Sequence, residues 1–118
     1  MSKHHKIDYL EFPACDLEAT QIFFERLLAW QFQSYGPDYI DFNDGVLSGG
    51  FYRSELRSRA EQGATLLVLY SEDLEQSYKQ VLECGGQISQ EIFSFPGGRR
   101  FHFIEPSGNE LAMWQREG

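Results

Sequence analysis

The alternation of side chains in KIDYLEF (6–12) predicts a β-strand at the start of the chain. Tyr9 and Glu11 share one face of this strand, and Pro13 is expected to end it because a proline cannot donate to a central ladder. Asp16 can cap a helix, since its carboxylate accepts the free N–H groups of a first turn. Apolar residues then recur at helical spacing to about residue 28, so we predict a strand followed by a helix.

Three strand-like runs follow the predicted helix, and turns containing glycine separate them. The second half of the chain repeats this order, with a helix that opens at Ser71 or Glu72 and stops at Gly85-Gly86. The predicted strands after 6–12 are residues 30–35, 38–43, 47–53, 65–70, 87–93, 99–105 and 110–115. The pattern therefore predicts two βαβββ units in tandem.

Two sequence offsets relate the halves. An offset of 57 places residues 16–18 on 73–75, and an offset of 63 places Phe51 on Trp114. One helix and four strands cannot bury both faces of a sheet, so we expect the two units to form one domain over residues 1–118. Its parts are a first unit at 5–53, a charged linker at 54–62 and a second unit at 63–116.

Composition narrows the class of protein. A formal net charge of −8 argues against nucleic acid as a partner, because phosphate binding needs a cationic face. Apolar residues at 42% and aromatic residues at 15% are typical of a globular domain with a small-molecule pocket. No membrane-length apolar run or signal peptide is present, so we expect a cytoplasmic protein with no membrane partner. Cys15 and Cys84 lack a CxxC spacing and are expected to be reduced.

Three segments carry a family resemblance in addition to the doubled βαβββ order. They are DLEAT with FFERLLAWQF, YGPDY with FNDG, and GGRRFHFIEPSGNELAMWQ. The chain resembles the vicinal oxygen chelate superfamily of glyoxalase-type lyases, extradiol dioxygenases and bleomycin-resistance proteins, and most of all its small bacterial glyoxalase-like members. The resemblance covers essentially the whole chain. It implies an α+β fold in which the two units form an open, curled mixed sheet with helices on the convex side, and a homodimer.

The resemblance also implies four metal-ligand positions on the concave face, usually occupied by His and Glu. Carried over to this sequence, they fall on Tyr9, Leu66, Ala112 and one residue within 48–50. Leu and Ala offer no donor atom, and a tyrosine would have to lose a proton with an ordinary pKa near 10. We therefore expect no cofactor in the usual place, and treat a divalent metal as the less favoured alternative.

Strand alternation predicts which other side chains face the same cleft. Phe101 and Phe103 are expected to pack on the helices, which turns Arg100 and His102 toward the cleft. Glu11 and His102 are the candidate catalytic residues. The candidate ligand-binding residues are Tyr9, Tyr39, Asp41, Tyr70, Arg100 and Trp114. Aromatic walls with a few convergent polar groups are the usual composition of a small-molecule site.

Three functions are compatible with this cleft. The first is metal-free binding of a small apolar or aromatic molecule. The second is a lyase or isomerase in which Glu11 is the general base and His102 or Arg100 stabilises an oxyanion, or in which Glu11, His102 and Asp41 hold a displaced metal. The third is a structural or regulatory partner without a ligand. Glu11 and Arg100 are alternatively expected to pair across the sheet, His102 to be structural, and the aromatic residues to fill a core or a dimer interface.

Overall fold

The computed structural model describes residues 3–118, and over that range two helices and eight strands form two βαβββ units of an α+β fold. The first unit consists of β1 (Tyr9–Ala14), α1 (Leu17–Leu28), β2 (Gln31–Ser34), β3 (Tyr39–Asn43) and β4 (Ser48–Arg53). The second consists of β5 (Leu67–Tyr70), α2 (Leu74–Glu83), β6 (Gln87–Phe95), β7 (Gly98–Ile104) and β8 (Glu110–Arg116). A short 3₁₀ helix, Ala60–Gln62, lies in the connection between the units. Met1 and Ser2, at the start of the segment expected to lack a signal peptide, lie outside the described residues.

Each unit forms its own open, four-stranded mixed sheet. The strand order is β1-β4-β3-β2 in the first sheet and β5-β8-β7-β6 in the second. The pairs β1/β4 and β5/β8 are parallel, and the remaining pairs are antiparallel. Helix α1 packs on β2, β3 and β4, whereas α2 packs on β6, β7 and β8. Each sheet therefore has one face covered by a helix and one face turned away from it.

Two local predictions are wrong for identifiable reasons. Pro13 does not end the first strand but lies inside β1, opposite Tyr52 of β4. Because β1 is the edge strand of its sheet, the missing N–H of the proline breaks no central ladder. Helix α2 is capped by Asp73 rather than opened at Ser71 or Glu72, and the Asp73 carboxylate accepts the Gln76 N–H at 3.2 Å. Asp16 caps α1 in the same way through the Ala19 N–H, at 3.0 Å.

The strand register gives a residue-by-residue alignment of the two units, and this alignment corrects one of the sequence offsets. Glu11 lies opposite Gly50 in the first sheet, and Val68, 57 residues further on, lies opposite Ala112 in the second. Gly50 is therefore the counterpart of Ala112, an offset of 62 rather than 63. The expected match of Phe51 with Trp114 is wrong, because Phe51 is buried in the core whereas Trp114 is partly exposed on the opposite face.

One continuous core joins the units. In the first unit, Phe24 of α1 stacks on Trp30 and Phe51, and Phe12 and Phe42 pack against the same group of rings. Phe23 of α1 contacts Phe103 of β7, so the core extends across the boundary between the units. As predicted, Phe101 and Phe103 are fully buried on the helix side of their sheet.

The turn between β7 and β8 interlocks with the first unit. Asn109 Nδ2 donates to the Pro13 carbonyl at 2.6 Å and to Glu105 Oε2 at 2.7 Å. Thr20 of α1 donates to Glu105 Oε1 at 2.8 Å. All of these polar side chains are buried, so the EPSGN turn (105–109) joins the two units through a buried network of hydrogen bonds.

The structure also bears on the cysteines and on the absence of a predicted membrane segment. Cys15 and Cys84 are free thiols, each partly buried. Across residues 3–118, no helix has both the length and the apolar character needed to cross a bilayer.

Candidate functional site

The side of the first sheet away from α1, which we call the first open face, carries Tyr9, Glu11, Tyr39, Asp41 and Gly50. The Tyr39 hydroxyl donates to Glu11 Oε2 at 3.0 Å and lies 2.5 Å from the Tyr9 hydroxyl. Because Tyr39 has one proton and directs it to Glu11, Tyr9 is the donor in the pair of hydroxyls. The result is a chain of hydrogen bonds from Tyr9 through Tyr39 to the Glu11 carboxylate.

Two tyrosines that donate to carboxylates here, Tyr39 and Tyr35, have a raised pKa. Partial burial raises the pKa of Tyr39 far above its ordinary value, and hydrogen bonds to Tyr9 and Glu11 raise it further. Tyr35 donates to Asp41 Oδ2 at 2.9 Å, and this hydrogen bond raises the pKa of Tyr35 as well. Glu11 and Asp41 therefore both accept from neutral phenols on this face.

Gly50 lies directly beneath the two hydroxyls. A Cβ at this position would be 2.0 Å from Tyr39 Oη and 2.9 Å from Tyr9 Oη. Glycine is thus the residue that lets the two tyrosine side chains close over β4. The closure occupies the space above one of the four positions at which the family resemblance implies a metal ligand.

The register identifies all four of those positions. They are Tyr9, Gly50, Leu66 and Ala112, because Gly50 is the counterpart of Ala112. Tyr9 donates its proton to Tyr39, and the other three residues have no side-chain donor for a metal. These residues do not fit a divalent ion. Within residues 3–118, no group of three or more His, Cys, Asp or Glu side chains is arranged to hold one.

The side of the second sheet away from α2, the second open face, carries Tyr70, Phe93, Arg100, His102, Glu110 and Trp114. At its base, His102 Nδ1 is 3.0 Å from Glu110 Oε2. Arg100 Nε and one Nη lie 3.2 Å and 2.8 Å from His102 Nε2. A guanidinium only donates, so Nε2 accepts and the proton of the neutral imidazole is on Nδ1, where it is donated to Glu110.

This carboxylate–imidazole pair is buried, with His102 4% and Glu110 7% exposed. Burial by itself would raise the pKa of Glu110. Hydrogen bonds from His102, the Ala60 N–H and the Ser89 hydroxyl outweigh burial and lower the pKa below its ordinary value. Glu110 is therefore a charged carboxylate at neutral pH. Because His102 donates its Nδ1 proton to this carboxylate, His102 Nε2 is a stronger hydrogen-bond acceptor for Arg100.

Aromatic rings surround the guanidinium of Arg100. Its central carbon lies 5.7 Å from the centre of Phe93 and 6.0 Å from that of Phe95. Arg116 lies over Tyr70 at 4.7 Å and over Trp114 at 5.4 Å. Trp114 also contacts Tyr70 edge to face, with ring centres 5.1 Å apart. A groove of about 470 Å³ opens at the end of this face, and its lining includes Phe95 and Arg116.

The structure thus divides the predicted site residues between two faces. Tyr9, Glu11, Tyr39 and Asp41 lie on the first, and Tyr70, Arg100, His102 and Trp114 on the second. The expected pairing of Glu11 with Arg100 is wrong, since Glu11 is bonded to Tyr39 and Arg100 to His102.

Among residues 3–118, no hydrogen bond joins the two proposed catalytic groups, Glu11 and His102. Both ring nitrogens of His102 are engaged in this arrangement, so neither is free to coordinate a displaced metal with Glu11 and Asp41. The assignment of Glu11 and His102 to a reaction stays a prediction.

The sequence reading missed Glu110. Alternation from Trp114 back through Ala112 reaches Glu110 on the same face, two residues after Gly108. The signal was therefore present, but Glu110 lies next to the turn and was not considered for the cleft.

Two kinds of comparison place the chain among known proteins. A protein-family model described as "Glyoxalase/Bleomycin resistance protein/Dioxygenase superfamily" matches residues 6–113. A search of curated protein sequences finds no match.

Solved structures with the same fold are similar over almost the whole chain. A glyoxalase-related enzyme from Fulvimarina pelagi is 15% identical with a TM-score of 0.78, covering 95% of this chain and 88% of that one. Fosfomycin resistance protein FosX from Mesorhizobium loti is 14% identical with a TM-score of 0.75, covering 96% and 93%. A lactoylglutathione lyase from Agrobacterium tumefaciens is 14% identical with a TM-score of 0.72, covering 94% and 93%. At these identities the likeness shows the fold alone.

Proposed function

The chain belongs to the Glyoxalase/Bleomycin resistance protein/Dioxygenase superfamily, and we propose that it binds a small apolar or aromatic molecule on its second open face without a metal in the family's usual place. The observation that carries the proposal is the group of aromatic rings around Arg100. Tyr70 is 44% and Phe93 37% exposed, although both are large side chains on a sheet. Aromatic rings left open to solvent beside a few fixed polar groups are typical of a ligand site.

The four positions of the implied metal site support the metal-free part of the proposal. Tyr9 and Gly50 are engaged in the hydroxyl pair of the first face, and Leu66 and Ala112 have no donor atom. Binding on the second face relies instead on ring stacking and on fixed hydrogen-bond donors, neither of which needs an ion.

The binding test uses a neutral aromatic probe, 1-naphthylmethanol, in calorimetric titrations of the purified chain. Saturable binding at one probe per chain is expected, with at least about tenfold weaker binding in Trp114→Ala because the ring loses its stacking partner. Tyr35→Ala is the matched control, since Tyr35 is an exposed aromatic residue of the first unit that belongs to neither ring cluster around Arg100 and Arg116. Absence of saturable binding, or equal weakening in both variants, would refute the proposal.

We further propose that two chains pair with the first open face of one toward the second open face of the other. The faces are complementary in charge at their edges, because Glu11 and Asp41 lie on the first and Arg116, at the end of β8, lies on the second. Tyr9 at 43% and Val68 at 39% exposure would be covered by such a contact. Light scattering is expected to give the mass of a dimer, and Arg116→Glu to weaken the association. A monomer at all accessible concentrations would contradict this arrangement.

A further inference from the structure

Among residues 3–118, Arg100 and Arg116 differ from the other cations of this acidic chain because their guanidinium groups lie over aromatic rings. Acidic side chains outnumber Lys and Arg by 18 to 10. Arg53, Arg59 and Arg99 each form an ion pair. Within residues 3–118 the ion pairs include neither Arg100 nor Arg116, although both lie among aromatic rings on the second open face.

The guanidinium of Arg100 is held in a defined orientation. Two of its five N–H donors point at His102 Nε2, whose own proton is committed to Glu110. The donors at the far edge of the guanidinium have no acceptor among residues 3–118. A guanidinium edge with two parallel N–H groups matches the two oxygens of a carboxylate.

Around this edge the walls are apolar. Phe93 and Phe95 lie beside Arg100, and Tyr70 and Trp114 lie on the adjoining strands β5 and β8. A molecule that places a ring against Trp114 and an anionic group against Arg100 would satisfy both the apolar walls and the free donors. A neutral ligand would leave those donors without acceptors, and a polyanion would find only the two arginines, with the Glu110 carboxylate buried beneath one of them.

We propose that the ligands of the second open face are aromatic monocarboxylates, with the carboxylate bound by the far edge of the Arg100 guanidinium that His102 and Glu110 orient. This inference rests on the proposed binding function and adds the charge class of the ligand. It also gives a reason for the burial of His102 and Glu110 as a hydrogen-bonded pair. Their role is to fix the direction of a cation rather than to react.

The test compares two probes that share a ring and differ in charge, 1-naphthoate and 1-naphthylmethanol, by calorimetry. In the wild-type chain, 1-naphthoate is expected to bind at least about tenfold more tightly, because charge-assisted hydrogen bonds are stronger than neutral ones. Arg100→Gln is expected to bring the ratio of the two dissociation constants close to one, mainly by weakening the binding of 1-naphthoate. Arg99→Gln is the matched control, since Arg99 is the neighbouring residue on the helix side and pairs with Glu75.

The outcomes separate the inference from the function on which it rests. Equal binding of both probes to the wild-type chain overturns the inference and leaves the binding function standing, whereas failure of both probes to bind overturns the two together. A preference that survives Arg100→Gln but is lost in Arg116→Gln refutes the assignment to Arg100. Arg100→Lys decides the matter if Arg100→Gln does not fold: the ammonium keeps the charge but not the planar fork, so the preference should fall without disappearing.

Discussion

On the first open face the carboxylate of Glu11 accepts from an exposed chain of tyrosine hydroxyls, whereas on the second face the carboxylate of Glu110 lies buried beneath His102 and Arg100. The backbone under both is the same, with Gly50 and Ala112 at matching positions of β4 and β8. The strand positions of the first face include no Lys or Arg, whereas the second face has two arginines without an acidic partner among residues 3–118. Repetition of a fold therefore does not repeat its chemistry.

The difference lies in where each face leaves a polar group available. On the first side of the molecule the hydroxyls of Tyr9, Tyr35 and Tyr39 are each directed to a neighbouring oxygen. On the second face the internal hydrogen bonds end at a guanidinium that still has donors to offer. This asymmetry favours recognition on the second face and an internal or interfacial role for the first.

The largest effect is expected when the buried hydrogen bonds that link Glu110, His102 and Arg100 on the second face are broken. His102→Leu removes the partner of Glu110 and the acceptor of Arg100 at once. Because Glu110 is buried and charged, the free energy of unfolding is expected to fall by about 3 kcal/mol. The matched change on the first face is Tyr39→Phe, which also removes two hydrogen bonds but leaves Glu11 open to water, and should cost about 1 kcal/mol.

Urea unfolding of the three proteins measures both differences. If His102→Leu and Tyr39→Phe lowered the free energy of unfolding equally, the hydrogen-bonded groups of the two faces would be equally hydrated. That result would contradict the difference in burial between the faces. A variant that retains the wild-type dependence on urea concentration but shifts its midpoint would attribute the loss to stability rather than to a change in the unfolded chain.

A smaller effect is expected at the pair of matching strand positions. Gly50→Ala would place a methyl group 2.0 Å from the Tyr39 hydroxyl, so the ring must move away from Glu11. The net loss is expected to be about 1 kcal/mol, since overpacking is partly offset by the lower flexibility of alanine in a strand. Addition of Tyr39→Ala to Gly50→Ala should relieve the clash, which would appear as strong non-additivity in a double-mutant cycle.

The counterpart change, Ala112→Gly, tests whether the sheets differ as described. Ala112 is fully buried, so the loss of its methyl group should also destabilise the chain by about 1 kcal/mol. The two substitutions run in opposite chemical directions, and both are expected to be unfavourable. If Gly50→Ala instead stabilised the protein, the hydroxyl pair would not be fixed over β4.

Much of the fold could be predicted because its signals are local. Asp16 caps a helix through its own side chain, and alternation alone assigns Phe101 to the core and Arg100 to the open face. Pro13 was misjudged because whether a strand is at an edge depends on the order of strands in the sheet, which no local pattern contains. The start of α2 is predicted one or two residues too early, at Ser71 or Glu72, for a different reason. Ser71 and Asp73 are both capping residue types, and only the geometry selects Asp73.

The site was harder to predict than the fold because its contacts depend on which strands are neighbours. Glu11 and Arg100 have opposite charges and both point away from the helices, but β1 and β7 belong to different sheets. Glu11 therefore bonds to Tyr39 on β3, two strands away in its own sheet. Alternation could have found Glu110, but its pairing with His102 follows only once β7 and β8 are in register.

The smallest expected effect is a difference in pH dependence between the faces. The pKa of Glu110 is lowered by folding, so its contribution to stability is present above its ordinary value near 4.3 and is lost as the pH falls through the lowered value. The pKa of Tyr39 is raised by folding, so its contribution is present below its ordinary value near 10 and is lost as the pH rises above it. Each group can change the slope of stability against pH by at most about 1.4 kcal/mol per pH unit.

Unfolding free energies of wild type, Glu110→Gln and Tyr39→Phe, measured from pH 3 to pH 11, separate the two contributions. The advantage of wild type over Glu110→Gln should shrink only at the acid end, and its advantage over Tyr39→Phe only at the alkaline end. Glu105, whose pKa is raised mainly by burial, is present in all three proteins and cancels from both differences. If the unfolding free energy fell equally in wild type and in Glu110→Gln at the acid end, the pKa of Glu110 would not change on folding. The electrostatic difference between the exposed hydrogen bonds of the first face and the buried ones of the second would then have no support.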